Sequence, residues 1–418
     1  MNMHNPGTVA VIGLGYIGLP TAVVLASRGV QVIGVDTNPV TVDFVSRGEL
    51  PFYEPDLATS LSGVVARGKL TATCEVPVAD AYVIAVPTPI TPETEADLSY
   101  VFEAAATLAP QLRPGATVVL ESTSPPGTTE RLSWALAQAR PDLTFPHDAN
   151  EDPDVFIAHC PERVLPGRLM TEMIENDRVI GGLTPECAEK AAEIYATFCH
   201  GELQLTDARS AEMAKLAENS FRDVNIAFAN ELSMICDKLG LDVWEIIAMA
   251  NRHPRVNILE PGPGVGGHCI AIDPWFLVGA APDQAVLIRT ARRVNIEKAD
   301  YILDQVLRMA ERFKNPVIAC LGLSYKANVD DLRESPAVEI ATTLARDLPD
   351  TTIIVADPLL SGPPPQMVDI PNIRFARAVE AVAAADIVVL LVDHNSFKRL
   401  PHKLLEGKVV LDTRGAWR

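Results

Sequence analysis

The sequence predicts an α/β protein with two doubly wound, Rossmann-like domains joined by a long central helix. Three observations carry this. Strands and helices alternate from the first residues; residues 207–239 then run without Gly or Pro, with apolar residues at helical spacing; and the strand-then-helix rhythm resumes after Asn315.

In order, TVAVIGLG reads as a strand, Pro20 to Arg28 as a helix, QVIGVD as a strand, the segment after Pro39 as a helix, AYVIAVPTP as a strand, the segment near Tyr100 as a helix and ATVVLEST as a strand. Apolar strands alternating with helices describe a parallel sheet covered on both faces. The polar segment FPHDANEDPDVF breaks the pattern before the helix over 207–239. Such a helix can join two domains and offer a dimer face; a plain core helix satisfies the same pattern. Next, NRHPRVNILEPGPGVGGHCIAIDP is rich in Gly and Pro yet apolar, which points to backbone packed close to a ligand rather than to a disordered linker. Finally PVIACLGLSYK, TTIIVADP, ADIVVLLVDH and KVVLDTRG are the strands of a second α/β domain. The expected division is 1–205, 206–305 and 306–418.

Composition narrows the function. At 418 residues the chain exceeds one ordinary core, and its 48% hydrophobic and 21% charged residues are those of a globular protein. No uncharged apolar run reaches the roughly 20 residues of a membrane helix, so no membrane insertion is expected. The opening MNMHNPGTVA lacks the basic and apolar regions of a secretory signal, which predicts a cytoplasmic protein. Seven scattered cysteines form no metal-ligand spacing and no disulfide framework, so no metal site is expected. A net charge of −19 opposes binding to nucleic acid, and an anionic ligand would need a locally basic pocket.

Gly13-Leu14-Gly15-Tyr16-Ile17-Gly18 lies between a strand and a helix, where glycines permit a tight turn and close approach of a pyrophosphate to the helix N-terminus. Asp36 ends the next strand, 18 residues past Gly18, and can accept from both ribose hydroxyls; no Arg follows it in Asp36-Thr37-Asn38-Pro39, so NAD is expected over NADP. Thr88 and Thr123 end the third and fourth predicted strands, where open sheets bind ligands, although each also suits a cap or turn.

Cys269 closes Gly264-Val265-Gly266-Gly267-His268-Cys269, whose glycines bare backbone N–H groups around one thiol. A thiolate adding to an aldehyde there gives a thiohemiacetal, which loses hydride to become a thioester that water releases as an acid. The bland alternative is a buried small hydrophobe. His268 can polarise the thiol, contact substrate or cap a turn. Lys215 and Asn219 stand four residues apart on one helix face, with Arg222 three further on, so they can hold an oxyanion or simply be solvated.

The motifs GLGYIGLPTA, AVPTP, LESTSPPGTTE, CPERVLPGR, EMAKLAENSFRDVNIAFANE, GPGVGGHCIAIDPWF and DDLRESPA together resemble the UDP-glucose/GDP-mannose dehydrogenase family along nearly the whole chain. NRHPRVNI, the His before Cys269, VDHNSFK and DTRGAWR resemble its acetamido-sugar branch. The resemblance implies an NAD domain, a helical dimerisation domain and a C-terminal UDP-sugar-binding domain, working as a homodimer with the active site between domains. It implies Cys269 as nucleophile, Lys215 as oxyanion or proton-transfer residue, Asn219 as its polar neighbour, Asp273 as support and Glu162 as an acid near the hydrolytic water. Tyr16, Ile17, Asp36, Thr88, Thr123 and Arg333 match the family's cofactor contacts. Arg163, Val164, Arg222, His253, Arg255, Gly266, Lys326 and Arg414 match its UDP-sugar contacts, with Lys215 and Asn219 beside them and Arg255 reaching from a second subunit. The UDP-glucose branch often carries a Lys before the matching aspartate, where this chain has Ile272, and no role is transferred there.

The implied reaction is a four-electron oxidation of UDP-N-acetyl-D-mannosamine to the uronate for surface polysaccharide such as enterobacterial common antigen. UDP-N-acetylglucosamine, its C2 epimer, is the alternative. A non-catalytic NAD-binding protein would not need Cys269, Lys215 and Asn219 together, and a single-step hydroxyacid or 6-phosphogluconate type dehydrogenase would need neither the thiol nor the second α/β domain.

Overall fold

A computed structural model describes residues 6–52, 54, 56–148, 152–164, 169–267 and 269–418. His268, residues 165–168 of CPERVLPGR and residues 149–151 of the polar segment lie outside the described residues. The chain divides into one unit of Met1–Glu218 and Trp275–Ala281 and another of Asn219–Pro274 and Pro282–Arg418.

In the first unit, β1 (Thr8–Ile12), β2 (Gln31–Val35), β3 (Leu70–Thr73), β4 (Ala81–Ile84), β5 (Thr117–Leu120), β6 (Phe156–His159), β7 (Arg178–Gly182) and β8 (Leu203–Asp207) form one sheet in the order β3-β2-β1-β4-β5-β6-β7-β8. The order reverses between β1 and β4, the switch point where open sheets bind ligands. Val9, Val11 and Leu19 belong to one core cluster, and Ala10, Ile84 and Leu120 to another, as expected of strands buried on both faces.

The sequence expectation held four strands here, so β6, β7 and β8 are additions to it, and three further features depart from it. Neighbours are parallel except β6 and β7. Among the described residues the connection there holds one short helix, Leu169–Glu175, whose seven residues span about 10 Å. Strand β3, a four-residue LTAT with polar neighbours, carries too little apolar signal to stand out. Strands β4 and β5 stop at Ile84 and Leu120, short of Thr88 and Thr123, where Pro87, Pro89 and Pro125 cannot donate to a ladder. Side chains join these ends instead: Ser122 Oγ donates to Val86 O at 2.7 Å and Thr88 Oγ1 to Thr123 O at 2.7 Å.

The second unit holds β9 (Val317–Leu321), β10 (Thr352–Ala356), β11 (Ile373–Phe375), β12 (Ile387–Leu390) and β13 (Val409–Asp412), all parallel, in the order β11-β10-β9-β12-β13. The three-residue β11, with Arg374 in its middle, was not legible in the sequence. The predicted long helix is Ala208–Leu239, in the first unit through Glu218 and in the second from Asn219. A second long helix, Val286–Ala310, packs by its Ala299, Ile302 and Val306 face into the core of this unit. Among the described residues no helix is long and apolar enough to cross a membrane.

The first turn of each sheet repeats one pattern. Gly13 N–H donates to Val35 O and Gly322 N–H to Ala356 O, each at 2.8 Å. The next amide, of Leu14 or Leu323, donates to Asp36 or Asp357 at 2.9 Å. The two differ in what covers the acid: His394 Nε2 lies 3.2 Å from Asp357 Oδ2 in the core of the second unit. Burial alone would raise the Asp357 carboxyl, but hydrogen bonds from His394, Leu323 and Leu359 hold it below its ordinary range.

Candidate active site

The glycine turn of the first unit leaves no room for side chains where the backbone must fold on itself. Gly13 has φ +95°, and a Cβ there would lie 2.4 Å from Ala85 O; a Cβ on Gly18 would lie 1.9 Å from Gly13 O. The helix Gly18–Ser27 therefore starts directly against the end of β1. Asp36 is fixed at the tip of β2, accepting from Leu14 N–H at 2.9 Å and Asn38 N–H at 2.8 Å. Tyr16 stacks on Phe52 with ring centroids 4.2 Å apart, at the edge of the same turn as Gly15 and Ile17. A turn closed to side chains, an oriented carboxylate one strand away and the switch point beside it fit a dinucleotide.

Glu162 stands just beyond β6 and is buried. Its Oε2 lies 2.8 Å from the Arg178 guanidinium, and its Oε1 accepts from Arg163 N–H at 2.7 Å. Arg178, on β7, also approaches Glu121 at 3.9 Å and lies over the rings of Tyr195 and Phe198. Burial, with Glu162 next to it, pushes Glu121 up to about 8, and burial pushes the Cys160 thiol to about 12, leaving it inert. Neither Arg178 nor Glu121 was singled out from the sequence; Arg on a strand reads as an edge or surface residue, and only the fold shows it paired inside.

Lys215 is buried on the long helix. One turn earlier, Glu212 accepts from Gly127 N–H at 2.5 Å, Thr129 N–H at 2.7 Å and Thr129 Oγ1 at 2.6 Å. That caps the helix Thr128–Ala139 with a carboxylate from another helix and fixes the register of the segment that carries Lys215. Burial pushes the Glu212 carboxyl up against those hydrogen bonds. Arg163 is paired with Glu218 at 2.6 Å, and Val164 packs into the core of this unit.

In the second unit Cys269 is exposed at the end of the glycine loop. The loop is pressed against the segment after β9: a Cβ on Gly266 would lie 2.3 Å from Glu334 O, and Gly267 N–H donates to Arg333 O at 3.0 Å. The Cys269 carbonyl accepts from Ile272 N–H at 3.1 Å and Asp273 N–H at 2.8 Å, so Asp273 opens the helix Asp273–Ala280 one turn past the thiol. Asp273 is buried, and Asn219 Nδ2 donates to its Oδ2 at 2.5 Å.

Behind the loop runs a buried polar chain. Gly262 N–H donates to Asn230 Oδ1 at 2.9 Å, Asn230 Nδ2 to Asn295 Oδ1 at 2.9 Å, and Asn295 Nδ2 to Asp223 Oδ1 at 2.8 Å; Arg292 pairs with Asp223 at 2.6 Å. None of these was picked from the sequence, where Asn and Asp inside helices carry no mark of inward orientation.

The remaining candidates of this unit are spread between Arg222 and Arg414 in the chain. Arg414 pairs with Asp393 at 3.0 Å and donates to Pro261 O at 3.2 Å, touching the loop ahead of Cys269. Arg333 pairs with Asp331 at 2.6 Å. Arg222, His253, Arg255 and Lys326 are exposed, and Arg255 N–H donates to His253 Nδ1 at 3.3 Å.

Sequence profiles of the UDP-glucose/GDP-mannose dehydrogenase family match three stretches: its NAD binding domain residues 7–199, its central domain residues 209–297 and its UDP binding domain residues 319–418. The NDP-N-acetyl-D-galactosaminuronic acid dehydrogenase of Ralstonia nicotianae is 57% identical over 410 residues, covering 98% of this chain and 96% of that one. The UDP-N-acetyl-D-mannosamine dehydrogenase of Escherichia coli K12 is 53% identical over 419 residues, covering 98% and 99%. Among solved structures, the UDP-N-acetyl-mannosamine dehydrogenase of Staphylococcus aureus superposes with a TM-score of 0.85 at 38% identity, covering 98% of this chain and 95% of that one. The chain belongs to the UDP-glucose/GDP-mannose dehydrogenase family and is an NAD-dependent UDP-sugar dehydrogenase.

Proposed function

We propose that the protein oxidises the C6 alcohol of UDP-N-acetyl-D-mannosamine to the carboxylate in two steps, through a thioester on Cys269. The observation that carries this is the exposed thiol at the end of a glycine loop with the Asn219–Asp273 pair one turn away. Bound NAD supplies the hydride acceptor for both oxidations. The aldehyde carbon is attacked by Cys269 Sγ, and the resulting oxyanion is held by Lys215 and Asn219. Water then adds to the thioester with Glu162 or Asp273 taking its proton, and the acid leaves as the thiol is restored.

Gly13, Gly15, Tyr16, Ile17, Gly18, Asp36, Thr88, Thr123 and Arg333 are assigned to the cofactor. Arg163, Val164, Arg222, His253, Arg255, Gly266, Lys326 and Arg414 are assigned to the UDP-sugar, whose phosphates call for such cations on a chain of charge −19. Residues 1–205 would then serve NAD, 206–305 dimerisation and 306–418 the UDP-sugar. A homodimer is supported by the long helix, where Phe221, Phe228 and Ile235 recur every seven residues with 72%, 53% and 48% of their surface exposed. Both substrates are cytoplasmic metabolites, which favours that compartment, and an acidic acetamido sugar suits surface polysaccharide synthesis.

A second reading rests on the 57% identity to the Ralstonia nicotianae protein: a galacto-configured acetamido sugar. The test is a panel of UDP-N-acetylmannosamine, UDP-N-acetylgalactosamine, UDP-N-acetylglucosamine and UDP-glucose at equal concentration with excess NAD. The manno sugar should show the highest kcat/KM; preference for the galacto sugar selects the second reading, and preference for UDP-glucose removes both.

A further inference from the structure

Among the described residues, the cluster behind Glu162 holds two acids, Glu121 and Glu162, and one cation, Arg178. The titratable and charged groups facing Glu121 are Arg178 from β7, Tyr195 from the helix Pro185–Tyr195, and Cys160 and Glu162 from the end of β6; Thr21 from the helix after the glycine turn faces it too. All are buried, with Glu162 the most exposed of them at 7%, so two carboxylates share one guanidinium in a largely dry place. A second uncompensated charge in such a place is strongly unfavourable, and one proton removes it.

Geometry says which acid takes the proton. Glu162 has the close contact with Arg178, at 2.8 Å, and a backbone N–H at 2.7 Å, both of which suit an anion. Glu121 lies farther from the guanidinium, at 3.9 Å, and its two oxygens meet hydroxyls, Thr21 Oγ1 at 3.0 Å and Tyr195 OH at 3.3 Å. A hydroxyl serves a neutral acid as well as an anion, because it can accept or donate. Arg178 is meanwhile held over the Tyr195 and Phe198 rings at 4.9 and 5.1 Å.

We propose that Glu121 is a positioning residue for Glu162, carrying the proton of the cluster so that Arg178 is left to aim Glu162 alone. This rests on the reading of Glu162 as the acid that serves thioester hydrolysis. When Glu121 ionises it competes for the guanidinium, Glu162 loses its orientation, and release of the acid product slows. Glu121 touches neither substrate nor cofactor in this scheme; it works through Arg178.

The test compares the wild-type protein with Glu121→Gln, which fixes the neutral form at nearly the same shape. The variant should keep kcat within about twofold at pH 7, whereas above its alkaline midpoint the wild type should lose acid production by about tenfold per pH unit, a fall the variant lacks. KM for the sugar should stay the same in both. Two measurements without substrate read the proton itself. Wild-type protein should show a protonated-carboxyl infrared band that Glu121→Gln lacks. Its stability should also fall as pH rises from 4.5 to about 8, because the folded state keeps a proton the unfolded chain has released, and the variant should not show this fall. Absence of the band overturns the proposal, as does an alkaline fall shared by both proteins while Glu162→Gln is impaired. If Glu162→Gln makes acid at the wild-type rate, the reading of Glu162 fails and the positioning role with it, while band and stability still report the proton on Glu121.

Discussion

Asn219 Nδ2 donates to Asp273 Oδ2 at 2.5 Å, tying the long helix to the residue that opens the next helix one turn past Cys269. The bond gives the Asp273 carboxylate a fixed direction. Replacing Asn219 with Asp sets two carboxylates face to face. We predict that Asn219→Asp lowers kcat by about 10²-fold or more, a loss of the order seen when one oxyanion donor is removed. Adding Asp273→Asn should recover part of that loss by restoring an amide–carboxylate pair, measured as a double-mutant cycle in kcat. Wild-type turnover by Asn219→Asp would remove the pair from the mechanism.

The loop that presents Cys269 is tied to a buried polar chain through Gly262 N–H, which donates to Asn230 Oδ1. Asn230→Ala strips a partner from Gly262 and from Asn295 in the interior. The expected cost is about 1–3 kcal/mol of stability. Chemical denaturation should show it, together with a fall in kcat larger than the change in KM for NAD, since the cofactor turn is untouched.

Much of this was legible in the sequence, and the limits have physical causes. The glycine turn and the glycine loop ahead of Cys269 announce themselves because only glycine suits the positive φ and close backbone approach at Gly13 and Gly267. The long helix showed itself by lacking breakers. Strands β3 and β11 escaped notice because four and three residues are too few for a pattern. Arg178, Glu121, Asn230 and Asn295 escaped for a different reason: inward orientation of a polar side chain is decided by its partners, and those lie 57 and 65 positions away in the chain.

Lys298 gives a stability prediction with a definite sign. It is 5% exposed, donates to Ser233 Oγ at 2.8 Å, lies 4.8 Å from the Tyr301 ring centroid and is pushed down to about 8 by burial, with Asp237 opposing. Below pH 8 both folded and unfolded chains hold the proton, and the buried charge costs about 3 kcal/mol. Between about 8 and 10.5 the unfolded chain alone keeps it, so stability should rise with pH in that window. Lys298→Met should raise the midpoint of unfolding at pH 7 and abolish that rise.

Phe221 and Phe228 are exposed about two turns apart on one helix face. If a second copy covers them, Phe221→Asp combined with Phe228→Asp should halve the mass seen by light scattering at micromolar concentration. The NAD-binding signal from intrinsic fluorescence should survive, since the glycine turn is built within the first unit. An unchanged mass would place the subunit contact elsewhere.

The most direct test of the thioester route counts NADH formed per sugar consumed, with sugar limiting and NAD in excess, for wild-type protein and for Cys269→Ala. Two NADH per sugar from the wild type, with no acid from Cys269→Ala, is the predicted result. One NADH per sugar from the wild type, or two from the alanine variant at an undiminished rate, would contradict it.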